Sequence, residues 1–220
     1  MSLSPGARLA HYEILEPIGW GGMGEVYRAR DTNLNRDVAI KILKGERASD
    51  PDRLRRFEKE ALAASSLNHP NIVTVHDIGE HERIHYIAME YVEGTTLREL
   101  LHGAPLPFKK LLELCSQIGN GLAKAHAARI IHRDLKPENV MVTNDGFVKI
   151  LDFGLAKLAT HPSELDSDRA TVSKETREGV LVGTAPYMSP EQAAGRPVDY
   201  RSDQFSLGSI MYEMATILAP

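Results

Sequence analysis

Between Tyr12 and Glu93 short apolar runs alternate with turn residues, in the order YEILEPIG, GEVYRAR, RDVAIKIL, NIVTVHDIG and RIHYIAMEYV. Their length, their near period of two and their β-branched content predict five strands. A helix over 51–66 interrupts them. Asp50 supplies an N-cap, Pro51 suits the first helical position, and Leu54, Phe57, Ala61, Ala64 and Ser65 then recur at helical spacing up to His69-Pro70. After Gly94 the pattern changes. Leu111, Leu112, Leu114, Cys115, Ile118, Leu122 and Ala125 fit a helix over 108–127, and a second helical run covers 204–218. The expected architecture is α+β: an N-terminal extension (1–11), a five-stranded antiparallel β lobe with one helix (12–93), and a mainly helical lobe (94–220). The lobes meet near Tyr91 to Thr95, and a cleft between lobes is a common place for a small-molecule site. Residues 159–179 carry few apolar side chains and read as a loop.

Composition narrows the picture. The 220 residues make one large domain or two small joined ones, and 42% hydrophobic with 25% charged residues is enough for a core. A net charge of −4 gives no overall basic field, so nucleic acid is not an expected partner. Cys115 is the only cysteine, which excludes an intrachain disulfide and a Cys-rich zinc site and suits a reducing cytoplasm. No run reaches the ~18 apolar residues of a membrane span, so this segment is expected to make no membrane contact. His76, His81 and His85 flank a turn without a fourth ligand or closed spacing, and are not read as a metal site.

Candidate chemistry begins at Gly19-Trp20-Gly21-Gly22-Met23-Gly24, a G-x-G-x-x-G. Alone it is ambiguous, because dinucleotide-binding folds use the same pattern to open a helix. Here GEVYRAR follows Gly24 and favours a second strand, so the glycines would let backbone N–H groups close over phosphates from a hairpin. Next, Val38-Ala39-Ile40-Lys41 puts one Lys in an apolar strand, which is improbable unless its ammonium meets an anion. Glu60 shares the inward face of helix 51–66 with Phe57 and Ala64, and offers such a partner. The most specific run is His132-Arg133-Asp134-Leu135-Lys136-Pro137-Glu138-Asn139, followed by Asp152-Phe153-Gly154. Asp134 is a candidate base. Asn139 and Asp152 offer the hard oxygens that Mg²⁺ takes when substrate phosphates complete its octahedron.

With these motifs in order, the chain resembles the catalytic domain of protein Ser/Thr kinases, and most of all the eukaryotic-like kinases of bacteria, from about Tyr12 to Met214. The resemblance implies a two-lobed kinase fold, ATP and Mg²⁺ as cofactors, and protein Ser/Thr hydroxyls as substrates. In it, Gly19, Gly21 and Gly24 cover the phosphates, and Lys41, paired with Glu60, holds the α- and β-phosphates. Asn139 and Asp152 hold Mg²⁺, Asp134 deprotonates the substrate hydroxyl, and Lys136 steadies the γ-phosphate. Ile18, Val26, Ala39 and Met141 would sandwich the adenine, with Met89 as gatekeeper and the backbone of Glu90 and Val92 as its hydrogen-bonding edge. Residues 152–191 resemble an activation segment, ending at Gly183-Thr184-Ala185-Pro186-Tyr187-Met188-Ser189-Pro190-Glu191. A phosphate on it would pair with Arg133. Thr176, spaced before Thr184 as in bacterial relatives, is the first candidate, with Thr171 and Ser173 as alternatives and Glu178 as a partial stand-in. Autophosphorylation there implies self-association.

Asp203 resembles the helical Asp that ties down the backbone at His132 and Arg133. Leu207, Ile210, Met211 and Met214 are expected to make its helix apolar on most sides. Ala64 falls where relatives place part of an internal apolar column beside Val75, His132 and Phe153, so helix 51–66 is expected to be loosely held. The chain ends at MATILAP, before about three further helices of the usual catalytic lobe, which would leave Glu191 without its Arg partner. An inactive nucleotide-binding or interaction fragment of a longer kinase, whose parent could be membrane-anchored, is therefore the alternative function. A small-molecule kinase fits the long segment 152–191 less well.

Overall fold

The structure is a computed structural model that describes residues 3–21, 24–43, 61–62, 64–103, 105–153 and 185–218. The upper lobe is an antiparallel sheet in the order β1-β2-β3-β4-β6-β5. Its strands are β1 (Arg8–Leu9), β2 (Tyr12–Gly21), β3 (Gly24–Asp31), β4 (Arg36–Leu43), β5 (Val75–His81) and β6 (Ile84–Glu90). All five expected strands form, with a sixth at the edge, where Arg8 and Leu9 pair with Glu13 and Tyr12. This edge is held further by Gly6 N–H on the Ile14 carbonyl and Ile14 N–H on the Ala7 carbonyl, so part of 1–11 belongs to the sheet.

Strand alternation divides this sheet into two faces. Val38, Ile40 and Ile42 of β4 join Tyr86 and Ala88 of β6, with Leu9, Tyr12, Ile14, Tyr27 and Ala29, in one buried cluster. Ala39 of β4 and Ile87 and Met89 of β6 point the other way and join Val73 and Val92 in a second cluster that backs the cleft. Lys41 shares that second face, by the same parity. Ala61, Leu62, Ala64 and Ser65 are helical, as expected for the end of helix 51–66. The rest of that helix, Glu60 included, lies outside the described residues.

The lower lobe packs α2 (Phe108–Ala127) against α4 (Tyr200–Thr216) and against a small sheet of β7 (Gly94–Thr96), β8 (Val140–Thr143) and β9 (Val148–Ile150). Two short helices complete it, α1 (Leu97–Leu100) and α3 (Pro190–Ala193). Both begin with a capping box, Thr96 with Glu99 and Ser189 with Gln192, which satisfies otherwise orphaned N–H groups. Leu111, Leu114, Ile118 and Leu122 of α2 meet Val140, Val148, Ile150, Ile210 and Met214 in one core.

One expectation about the lower lobe is corrected. The buried side of α4 is largely polar, formed by Ser202, Asp203, Ser206, Ser209 and Glu213 beside Ile210 and Met214, while Met211 is exposed with Phe205 and Tyr212. Small serines let the helix come close to its neighbours; the Ser206 hydroxyl, for example, donates to the Tyr187 carbonyl at 2.7 Å. Glu191 is half-buried and accepts a hydrogen bond from the Ser202 hydroxyl, which holds its carboxyl below the usual range.

Close approach makes opposite predictions for two glycines. A Cβ on Gly94 would lie 2.2 Å from the Val142 carbonyl oxygen and 2.8 Å from Thr143 Cα, so Gly94→Ala must part β7 from β8. Its unfolding free energy should fall by about 2–3 kcal/mol. In α2, a Cβ on Gly119 meets nothing within 4 Å, and Gly119→Ala should stabilise by about 0.5–1 kcal/mol through helix propensity. Urea unfolding of the two variants, read as midpoint shifts of opposite sign, checks both.

Candidate active site

The loop 128–136 joins α2 to the 3₁₀ turn Pro137–Asn139, and its conformation at His132 and Arg133 is set by one carboxylate. Asp203 of α4, 1% exposed, accepts the N–H of His132 at 2.8 Å and of Arg133 at 2.9 Å, and lies 2.7 Å from His126 Nε2. A buried carboxylate is tolerable only with such partners. They hold Arg133 in the left-handed region (φ 64°), which sends successive side chains of the loop in different directions. His132 turns inward, with Nε2 2.8 Å from the Leu151 carbonyl and its ring 4.8 Å from that of Phe153. The Leu151 N–H in turn donates to the Asn139 carbonyl at 2.9 Å. The loop and the Asp152 segment are thereby tied together.

On this frame three of the expected residues converge. Asn139 Nδ2 donates to the Asp134 carbonyl at 2.8 Å and to its Oδ2 at 3.2 Å, and Lys136 Nζ lies 3.1 Å from Asp134 Oδ2. Asp152 takes a left-handed conformation (φ 54°) and its Oδ2 meets Lys41 Nζ at 2.7 Å. The improbable strand lysine, 6% exposed, thus finds its anion across the cleft. Because Nδ2 of Asn139 is used on Asp134, its amide oxygen and the Asp152 carboxylate remain as hard donors on one side of the cleft. That pair suits Mg²⁺, which takes one or two protein oxygens and fills its octahedron from phosphates and water.

Several of the residues expected around adenine lie in one apolar cluster. Ala39, Met89 and Val92 are buried together, with Val26, Met141 and Tyr91 packed against them; Leu151, which the sequence did not single out, joins them. Ile18 is 44% exposed on β2 and stands outside this cluster. Gly19 pairs with Val26 and Gly21 with Gly24 across the hairpin, while Gly22 and Met23 at its tip lie outside the described residues. Ala64 sits beside the apolar end of the cleft, where Ala61, Val75, Met89, Asp152 and Phe153 line a small open space, as a short side chain at that position implies. Thr171, Ser173, Thr176, Glu178, Thr184 and Glu60 lie outside the described residues. Arg133 Nε is buried and has no hydrogen-bond partner among them.

One network went unnoticed in the sequence. Arg98 of α1 donates to Glu138 at 2.9 Å, to the Tyr187 hydroxyl at 2.6 Å, and to Glu213 of α4; Tyr187 donates in turn to Glu213. Burial, together with Glu213, pushes the Tyr187 phenol up to about 12. Arg98 therefore joins the turn carrying Asn139 to α4 and to the end of segment 152–191. Its partners are 40 to 115 residues away, and no local pattern announces them.

The fold and this arrangement are those of a protein kinase, and the Protein kinase domain family model matches residues 12–220. The chain belongs to that family. It is 47% identical over 214 residues to a probable serine/threonine-protein kinase of Streptomyces coelicolor, covering 95% of this chain and 30% of that protein. It is 43% identical over 210 residues to the serine/threonine-protein kinase PknB of Mycolicibacterium smegmatis, covering 93% and 32%. The crystal structure of the Mycobacterium tuberculosis PknI kinase domain superposes with a TM-score of 0.78 at 30% identity, covering 100% of this chain and 79% of that one. The chain spans about a third of the length of these curated relatives.

Arg98→Met would leave Glu213, whose side chain is 5% exposed, buried without its cation. Its unfolding free energy should drop by about 2–4 kcal/mol. Arg98→Lys should recover only part of this, because one ammonium cannot serve three acceptors placed around a planar fork. Chemical denaturation of the two variants beside the unsubstituted chain gives the comparison.

Proposed function

We propose that this chain is the catalytic domain of a Ser/Thr protein kinase that transfers the γ-phosphoryl group of ATP to protein hydroxyls. The observation that carries the reading is the Lys41–Asp152 ion pair on a segment tied, through the Leu151 N–H on the Asn139 carbonyl, to the turn that gathers Asp134, Lys136 and Asn139. Such an array combines a base, cations for phosphate and oxygens for a metal ion. The adenine lies among Val26, Ala39, Met89, Val92 and Met141, under Ile18, and meets the backbone of Glu90 and Val92. Gly19, Gly21 and Gly24 close over the phosphates, and Lys41, drawn also to Glu60, takes the α- and β-phosphates.

In the transfer, Asp134 accepts the proton of the Ser or Thr hydroxyl as that oxygen bonds to the γ-phosphorus. The bond from the γ-phosphorus to the β,γ-bridging oxygen breaks, and ADP leaves with that electron pair. Lys136, beside Asp134, faces the equatorial oxygens of the group in flight. Asn139 and Asp152 would hold Mg²⁺, which neutralises charge on the phosphates when bound. Protein substrates imply a docking surface along segment 152–191. A phosphate on Thr176, or on Thr171 or Ser173, would meet Arg133, whose buried Nε suits it. A second copy of the chain would serve as substrate for that modification. The cytoplasm supplies both ATP and a reducing setting for Cys115.

Intact-mass spectrometry after incubation with Mg-ATP tests the proposal. The unsubstituted chain should gain phosphate in steps of ~80 Da. Asp134→Asn should lower the rate by about 10²–10⁴-fold, and chelation of divalent cations should abolish the gain. No gain, with ATP still raising the melting temperature, would instead establish the nucleotide-binding fragment.

A further inference from the structure

The segment that would meet the adenine is braced from both lobes. Lys149 of β9, in the lower sheet, reaches Glu90 at the end of β6, with Nζ 2.7 Å from Oε1 and 2.9 Å from Oε2. The two side chains are only 16% and 29% exposed. Glu90 is also locked to the strand entry: its N–H donates to the Thr74 carbonyl at 2.8 Å, and the Thr74 N–H donates to its Oε2 at 3.2 Å. From above, the Arg28 guanidinium of β3 lies 4.8 Å from the centroid of the Tyr91 ring, and is itself gripped by Asp37 at 2.8 and 2.5 Å. Lys149 pairs in register with Met141, on the floor of the same pocket.

Among the described residues two ion pairs join the upper sheet to the lower lobe, Lys41–Asp152 and Lys149–Glu90. The first sits where phosphates would go and must be shared with them. The second sits behind the nucleobase and touches none of the groups assigned to phosphate transfer.

We propose that Lys149 is a positioning residue for the nucleoside. Its ion pair with Glu90, backed by Arg28 on Tyr91, fixes the 90–92 backbone over Met141, so the nucleobase meets a preformed edge. This rests on the ATP-binding reading above. Without the ammonium, the Glu90 carboxylate is held by Thr74 alone, the connecting segment can shift between the lobes, and part of the binding energy goes to re-forming the pocket.

Adenosine distinguishes this role from a phosphate-directed one, because it carries only the nucleobase end. Titration calorimetry with adenosine and with Mg-ATP would compare the unsubstituted chain, Lys149→Gln, Lys149→Arg and Arg28→Gln, alongside steady-state kinetics. Lys149→Gln should weaken both ligands by the same factor, about 5–10-fold, as loss of a half-buried pair permits. It should raise the KM for ATP correspondingly with little change in kcat, while Lys149→Arg should stay within about twofold and Arg28→Gln should lose about 2–3-fold. Should Lys149→Gln fail to fold, the isosteric Glu90→Gln, which keeps the Thr74 hydrogen bond, should show the same parallel loss. Unchanged adenosine affinity in Lys149→Gln or Glu90→Gln, or a fall in kcat at constant KM, would overturn the inference. Failure of the unsubstituted chain to bind either ligand would overturn the nucleotide reading, and this with it.

Discussion

The geometry of the candidate site in this lobe hangs on the carboxylate of Asp203. It is buried, and a buried charge stabilises nothing by itself; it persists because two backbone N–H groups and His126 converge on it. The consequence is geometric. With His132 and Arg133 pinned to α4, the chain must turn through a left-handed residue, and the His132 ring is delivered to Leu151 and Phe153. Asp134, Asn139 and Asp152 then descend from a single rigid unit rather than from three separate loops. The Arg98 network repeats the device at the other end of α4, where Glu213 holds both Arg98 and Tyr187. The polar buried side of α4 follows from these duties: a helix that organises backbone and side-chain charges on its inner face cannot be apolar there.

How much of this was legible depends on how far each signal reaches along the chain. The upper strands were plain because alternation is local, and β4 even marked its odd member, Lys41, by placing an ammonium among Val38, Ala39 and Ile40. The loop from His132 to Asn139 was plain because its motif lies within one short run, although the carboxylate that fixes its shape is 70 residues away. β1 was not, since two residues cannot show a period. The small sheet of β7, β8 and β9 escaped because its strands are three or four residues long and Gly94–Thr96 pairs with Val140–Thr143, nearly half a lobe away in sequence. Arg98 and Lys149 read as ordinary surface cations; only the folded chain shows that their carboxylates are waiting for them. On α4 the apolar reading overweighted Met211 and missed that Ser202, Ser206 and Ser209 face inward because small hydroxyls permit close packing.

The two cross-lobe ion pairs among the described residues differ in what a ligand must do to them. Lys41 and Asp152 are drawn from opposite lobes to 2.7 Å, and each satisfies the other. A neutral ligand that displaced one would strand the other in a half-dry cleft, at the desolvation cost that buried charges carry. A lone anion would compensate Lys41 and repel Asp152; a lone cation would do the reverse. Only a ligand that brings negative charge and a cation together replaces both partners at once, and a polyphosphate carrying a divalent metal ion has that composition. The same reasoning explains why the rear pair is placed elsewhere. Lys149 and Glu90 lie apart from Lys41 and Asp152, so on the proposed reading the front pair could be exchanged for ligand charges while the lobes kept a fixed pivot. A single ion pair could not serve both purposes, since the one that opens for phosphate would release the hinge as it opened.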